Sequence, residues 1–411
     1  MRTKLTWLFS LIAIMMVAFT SCSGESEDIE DINKQTILIF MPWSGNLYET
    51  FQENLDSIES AIVANKGLTN TRVMLFLSGS TQGSELSEIV YRKDTKTCER
   101  IALKQYSGAD YTTAEGIADI LNEVKSHAEA LNYAMIIGCH GTGWTYKDAW
   151  INYPFRAPRI RTATAAEEKD PEMSTRFYGA TENPTFETDI SELAKGIASV
   201  GIKMQYILFD DCYMGNIETA YELRQVTNFL IASTSEVMRI GMPYRTMWNS
   251  LCSTTPNYTN AANAFLTFYK NYTSAAGVPL HYGTLSVIDC REMDKVAEIM
   301  KDINKSSAFD ENRRDNIQRL DGFNPVLFYD FVDYVESFCE DPLLLEKMKK
   351  EVNTLVRTTV STDSLYTDLR VIAGMRFLVP ETNCGITVSD PSIHPVAQKS
   401  HTRTSWYQAT H

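Results

Sequence analysis

Five short, unbroken apolar runs mark this chain: Thr36–Met41, Val73–Leu77, Tyr133–Ile137, Tyr206–Phe209 and Phe229–Ala232. Runs this brief, rich in β-branched and aromatic residues and lacking polar alternation, suit strands covered on both faces, as in the interior of a parallel sheet. Helical spacing separates them. Leu47, Phe51, Leu55, Ile58 and Ile62 recur every three or four residues between the first two runs. Ala114, Ile117, Ala118, Leu121, Val124, Ala128 and Leu131 do the same ahead of the third, behind a capping box formed by Thr112 and Glu115. A helix near Ile190–Val200, closed by Gly201, leads to the fourth run, and one on Met214, Ile217, Ala220 and Tyr221 follows it. Strand, helix, strand in that order predicts βαβ units and a parallel sheet. The stretch Gly79–Gly83 has neither a Gly-Lys-Ser/Thr ending nor a GxGxxG pattern, so it reads as a plain turn rather than a phosphate loop. From about Thr255 the chain is helix-rich, with a strand at Thr284–Ile288. The fold class is α/β: a sandwich around a mostly parallel sheet, with helical C-terminal additions.

The N-terminus sets the expected compartment. Arg2 and Lys4 precede an apolar run, Leu5–Phe19, and Thr20-Ser21-Cys22 follows. A charged start, a short apolar stretch and small residues before a cut site describe an export signal, here residues 1–21. The apolar run falls short of the roughly 20 residues that span a bilayer. The small residues before Cys22 resemble a bacterial lipobox, which makes Cys22 the acylated first residue of the mature chain. Residues 22–32 are acidic and poor in hydrophobes, the composition of a tether. An acidic stretch after the lipidated cysteine resembles the surface-display signal of some Gram-negative bacteria. The protein is therefore expected to be exported and lipid-anchored to the cell envelope at the outer membrane; surface display is what that resemblance implies, and a plain solvated linker is the alternative. Its folded part divides into a core over 33–254 and a helix-rich remainder over 255–411.

The formal charge is −14, and −16 once Arg2 and Lys4 leave with the signal. That balance argues against nucleic acid, whose binding relies on dense Lys/Arg contacts to phosphate. The eight cysteines are scattered and form no CxxC pair, so neither a zinc ribbon nor a thioredoxin-like motif is supported.

Two of the apolar runs end in reactive side chains. One ends in Gly138-Cys139-His140-Gly141-Thr142-Gly143-Trp144, the other in Asp210-Asp211-Cys212-Tyr213-Met214-Gly215. Open parallel sheets bind ligands in the crevice beyond the carboxyl ends of their strands. If the two strands are neighbours, His140 and Cys212 meet there. A helix starting near Tyr213 would set its N-terminal dipole beside the Cys212 sulfur and favour thiolate. Gly141 lets the backbone come close to a substrate. Its N–H, with that of Cys212, is a candidate oxyanion hole. A lone cysteine is more often a small buried hydrophobe than a nucleophile; the conjunction of two strand ends is what points to chemistry. Cys139, His140 and Cys212 lack the spaced ligand pair of a zinc site, so no metal site is expected, and no GxSxG elbow supports a serine hydrolase.

The His-Gly-Thr-Gly-Trp and Phe-Asp-Asp-Cys-Tyr-Met-Gly segments resemble those of the clostripain family of cysteine peptidases. The resemblance extends to Thr36–Leu47 and Cys384–Trp406. It implies the caspase-like three-layer sandwich shared with gingipains, legumains and separases, and peptide or protein substrates. It makes His140 the general acid/base, Cys212 the nucleophile, and Asp210 the lining of a pocket for Arg or Lys at P1, the residue before the cut bond. It also brings in calcium as a candidate cofactor; no other is implied. Glu236, just past the neighbouring strand end, is a candidate second carboxylate on the pocket wall. The chain departs from the pattern at Asp211, where relatives often carry a small residue, and strand alternation would turn that side chain away. The segment Ser233–Tyr244 is also less typical of clostripain. Between the motifs lies a polar stretch with Lys147, Arg156, Arg159, Arg161, Lys169 and Arg176 that reads as a loop. Exposed loops are preferred nicking sites, and relatives mature by cleavage in this region, so self-cleavage is expected there. The rival reading is a catalytically silent surface lipoprotein of the same fold that binds peptide or protein.

Overall fold

The apolar runs lie side by side in one sheet. The computed structural model describes residues 33–42, 45–80, 83–108, 110–151, 153, 174–176, 187–369 and 377–411. The signal, Cys22 and the tether lie outside the described residues. The nine strands of the main sheet are β1 (Gln35–Met41), β2 (Thr71–Ser80), β3 (Gly83–Arg92), β4 (Thr97–Tyr106), β5 (Asn132–Ile137), β6 (Met204–Phe209), β7 (Thr227–Ala232), β8 (Thr284–Asp289) and β9 (Val356–Ser361). Their spatial order is β9-β8-β7-β6-β5-β1-β2-β3-β4. The centre is parallel, β1 pairing with β2 and β5, β5 with β6, and β6 with β7. Both margins are antiparallel.

Successive residues of a strand face opposite sides, and here they feed two separate cores. Leu38, Phe40, Met135, Ile137, Ile207 and Phe209 pack with helices α1 (Ala114–His127), α2 (Ile190–Ser199) and α3 (Ile217–Leu223). Ile37, Ile39, Met41, Ala134, Ile136, Tyr206 and Leu208 pack on the opposite face. The helices there are Tyr48–Ala64, Tyr244–Leu251 and Tyr258–Asn271. This is the caspase-like three-layer sandwich around a mostly parallel centre.

Three details differ from expectation. The β3–β4 hairpin has no counterpart in the sequence reading, because its strands mix apolar with charged positions and stay half-exposed. Gly79 and Ser80 close β2 and Gly83 opens β3; positions 81 and 82 between them lie outside the described residues. Thr113, not Thr112, caps α1, its hydroxyl accepting from Gly116 N–H at 3.1 Å. The helix expected from about Tyr213 begins only at Ile217, where the Asn216 side chain accepts from Thr219 N–H at 2.7 Å. No helix among the described residues is long and apolar enough to cross a membrane.

Candidate active site

Neighbouring strands bring the two motifs together. Ile137 is in register with Phe209, and Asp210 N–H donates to the Ile137 carbonyl at 2.7 Å. His140 and Cys212 thus each follow a paired strand end at the same carboxyl edge. The two loops touch at Gly141: a Cβ there would lie 2.9 Å from Cys212 N and 2.5 Å from its carbonyl oxygen. Only glycine allows that approach.

The His140 ring is buried, with Nε2 2.8 Å from the Asn46 side-chain oxygen. A proton on Nε2 makes Nδ1 the basic nitrogen. Asn46 sits in a single turn, Gly45–Leu47, just beyond β1. An exposed loop asparagine carries no sequence signal of its own; its place past the first strand end is the only clue.

Cys212 is fully buried, and its sulfur accepts the Val237 N–H at 3.2 Å. Burial first, then the charge of Glu236, pushes its thiol well above the usual range. The expected helix dipole is too far along the chain to counter this, since Tyr213 turns the backbone at φ +63° and α3 starts at Ile217. Asp211 points to the other face, where it takes the Cys139 N–H, and burial raises its carboxyl well above the usual range.

The segment Ser174–Arg176 lies across this site as a short antiparallel partner of Val237–Arg239. Arg176 N–H donates to the Val237 carbonyl at 2.8 Å, Arg239 N–H to the Ser174 carbonyl at 2.7 Å, and Thr175 bridges Met238. The Arg176 carbonyl accepts the Gly141 N–H at 3.3 Å. Its guanidinium is fully buried: Nη1 is 2.7 Å from Asp210 Oδ2, Nη2 donates to the Asn54 side chain at 2.6 Å, and Nε donates to the Arg239 carbonyl at 3.0 Å. The Phe51 ring lies 5.1 Å below it. Asp210 itself is held by Met242 N–H at 3.1 Å and the Tyr244 hydroxyl at 2.7 Å. Gly241 completes the wall at φ +74°, where an added Cβ would fall onto the guanidinium. Neither Asn54 nor Gly241 was foreseen, since both come from segments distant in sequence.

Glu236 is not on that wall. Its oxygens take the hydroxyls of Thr175, Thr367 and Tyr213 (the last at 2.7 Å) and the Asp368 N–H at 2.9 Å. It faces Thr175 instead of Arg176.

The clostripain family model matches residues 164–369. A crystal structure of a secreted C11 cysteine protease from Bacteroides thetaiotaomicron, "iotapain", is 36% identical, covering 92% of this chain and 99% of its own, with a TM-score of 0.79. The chain belongs to the clostripain family. It is a cysteine-type endopeptidase by that membership. A clostripain from Bacteroides thetaiotaomicron in complex with the peptide inhibitor BTN-VLTK-AOMK is 42% identical, over 56% of this chain and 98% of its own, with a TM-score of 0.52. An inactive zymogen C11 protease from Parabacteroides distasonis shares the fold at 20% identity and a TM-score of 0.73, covering 92% of this chain and 98% of its own. No curated protein matches the chain. Among the described residues, no group of three or more His, Cys, Asp or Glu side chains is placed to hold a metal ion. No step of this clostripain-family chemistry is assigned to a metal.

Proposed function

We propose that this clostripain-family peptidase cuts after Arg or Lys with Cys212 as nucleophile and His140 as general acid/base. The observation that carries the reading is Arg176, whose side chain pairs with Asp210 while its carbonyl accepts the Gly141 N–H. A guanidinium seated on a buried carboxylate and a carbonyl presented to a backbone donor are the two contacts a P1 residue requires. The inhibitor bound by the relative, Val-Leu-Thr-Lys, ends in a basic residue after threonine, as does Ser174-Thr175-Arg176.

In this mechanism the Cys212 thiol passes its proton to His140, and the sulfur attacks the P1 carbonyl carbon. The oxyanion forms against the Gly141 N–H. Collapse breaks the C–N bond, the amine leaves with the proton from His140, and water, deprotonated by the same ring, hydrolyses the thioester. Asn46 holds the imidazole so that Nδ1 does this work. Burial of the thiol disfavours its ionisation at rest, so the proton moves when a substrate carbonyl is in place.

Arg176 is the first substrate of the chain itself. The expected self-cleavage falls at the Arg176–Phe177 bond, and release of the new terminus opens the pocket to other peptides. Before the cut, Cys212 is covered. The secreted relative supports export. Anchoring through Cys22 is part of the same proposal: Cys22→Ser should move the protein from the membrane fraction to the soluble one, and retention on membranes would refute the anchor.

A thiol-directed peptide probe ending in Arg tests the site. Matured wild type should be labelled at Cys212, with labelling lost in Cys212→Ala and strongly reduced in His140→Ala. Profiling with a peptide library should return Arg and Lys at P1. No labelling of matured protein would favour the silent binder, and an apolar or acidic P1 would overturn the role of Asp210.

A further inference from the structure

The residue before Arg176 has a site of its own. Thr175 is buried, and its backbone N–H donates to Asp368 Oδ2 at 2.8 Å. Its hydroxyl lies 2.9 Å from that same oxygen and also against Glu236 Oε2. A hydroxyl has one proton to give and two lone pairs to receive with. Between two carboxyl oxygens it can donate to only one, so the other contact is sound only if that carboxyl carries a proton. Burial first, then the neighbouring Asp368, raises the Glu236 carboxyl to about 7, in keeping with Glu236 as the protonated partner. The remaining oxygen of Glu236 takes the hydroxyls of Tyr213 and Thr367, and the Asp368 N–H donates back to Oε2.

We infer that Glu236 and Asp368 form a subsite that selects a hydroxyl-bearing residue, threonine or serine, at P2. This rests on the reading of Ser174–Arg176 as bound substrate and deepens it. Donation to one carboxylate and acceptance from the other carboxyl suit a hydroxyl. An isosteric valine takes the hydroxyl contact away from both carboxyl groups, and sites built to bond a hydroxyl reject the analogue lacking it strongly. A lysine or arginine gives protons but cannot accept one.

Matured enzyme assayed on peptides alike except at P2 tests this, every substrate carrying Arg at P1. Threonine and serine should exceed valine by roughly 10²-fold in kcat/KM. Glu236→Gln and Asp368→Asn should each shrink that ratio to below about 10-fold, while the preference for Arg over an uncharged P1 persists. The wild-type comparison needs no variant, so a misfolded mutant does not void the test. Equal rates for threonine and valine peptides, with Arg still required at P1, would overturn the P2 subsite alone. A ratio untouched in correctly folded Glu236→Gln and Asp368→Asn would do the same. No turnover of any Arg peptide would defeat the parent reading and this one with it.

Discussion

Asp210 and the Glu236–Asp368 pair are two acidic pockets a residue apart along the same bound segment, and they solve different electrostatic problems. Asp210 is buried with a guanidinium on it, and its remaining bonds come from Met242 N–H and Tyr244. Glu236 and Asp368 meet a hydroxyl and an N–H, and burial favours the protonated, neutral form of Glu236. A buried carboxylate without a counter-charge is expensive. One pocket therefore depends on what fills it, whereas the other can neutralise itself.

Asp210→Asn breaks the comparison at its strongest point. Removing one partner of a buried ion pair typically costs 3–5 kcal/mol, because the other charge is stranded. In a Cys212→Ala background, which stays uncut, denaturant unfolding should show a loss of about that size. Pairing the change with Arg176→Met should recover most of it. In the active enzyme kcat/KM for Arg peptides should fall by about 10²–10³-fold, since a missing charge partner costs several kcal/mol. An Asp210→Asn enzyme with unchanged preference for Arg would show that the carboxylate is structural.

Gly241→Ala sharpens the same side by shape instead of charge. Its Cβ would collide with the guanidinium, and alanine is strained at φ +74°. Arg peptides should lose about 10-fold in kcat/KM, a cost near 1.4 kcal/mol, with threonine preference at P2 retained. Equal losses across all P1 residues would mean that the change acts on folding rather than on the pocket.

A third test probes the second pocket by pH. Glu236 titrates at about 7 in the folded chain against an ordinary 4.5. Between those values the folded state holds a proton that the unfolded chain has released, so stability falls as pH rises through that window. One such group contributes a slope of at most about 1.4 kcal/mol per pH unit. Glu218, raised to about 8 by burial, and Asp321, raised to about 6, add slopes of the same sign. Glu236→Gln in the uncut background should therefore flatten the profile between pH 5 and 7 without levelling it. Superimposable profiles would remove the protonated Glu236 from the account.

The two pockets also differ in how far sequence reasoning reached them. The parallel centre was readable because strands covered on both faces must be apolar throughout, and β1, β5 and β6 are. Strand ends then pointed to His140, Asp210 and Cys212, which the register of β5 and β6 brings to one edge. The margins were not readable in the same way: β3 and β4 mix polar and apolar positions and stay half-exposed. Asn46, Asn54, Gly241 and Asp368 reach the site through tertiary folding alone, each on a separate segment with no local signature. Strand-end proximity put Glu236 beside Asp210, whereas its carboxyl lies against Thr175, because proximity does not say which residue of a neighbouring segment a side chain will face.

The central claim is that Arg176 occupies the pocket as substrate, and the bond after it tests that most directly. Purified wild-type chain should convert on incubation to two pieces. N-terminal sequencing of the second should begin at Phe177, with intact masses that sum accordingly. Cys212→Ala should remain one chain, and Arg176→Ala should not be cut at that bond. A wild-type chain that stays whole while fully active on added Arg peptides, or a Cys212→Ala chain that still opens at Phe177, would contradict the account.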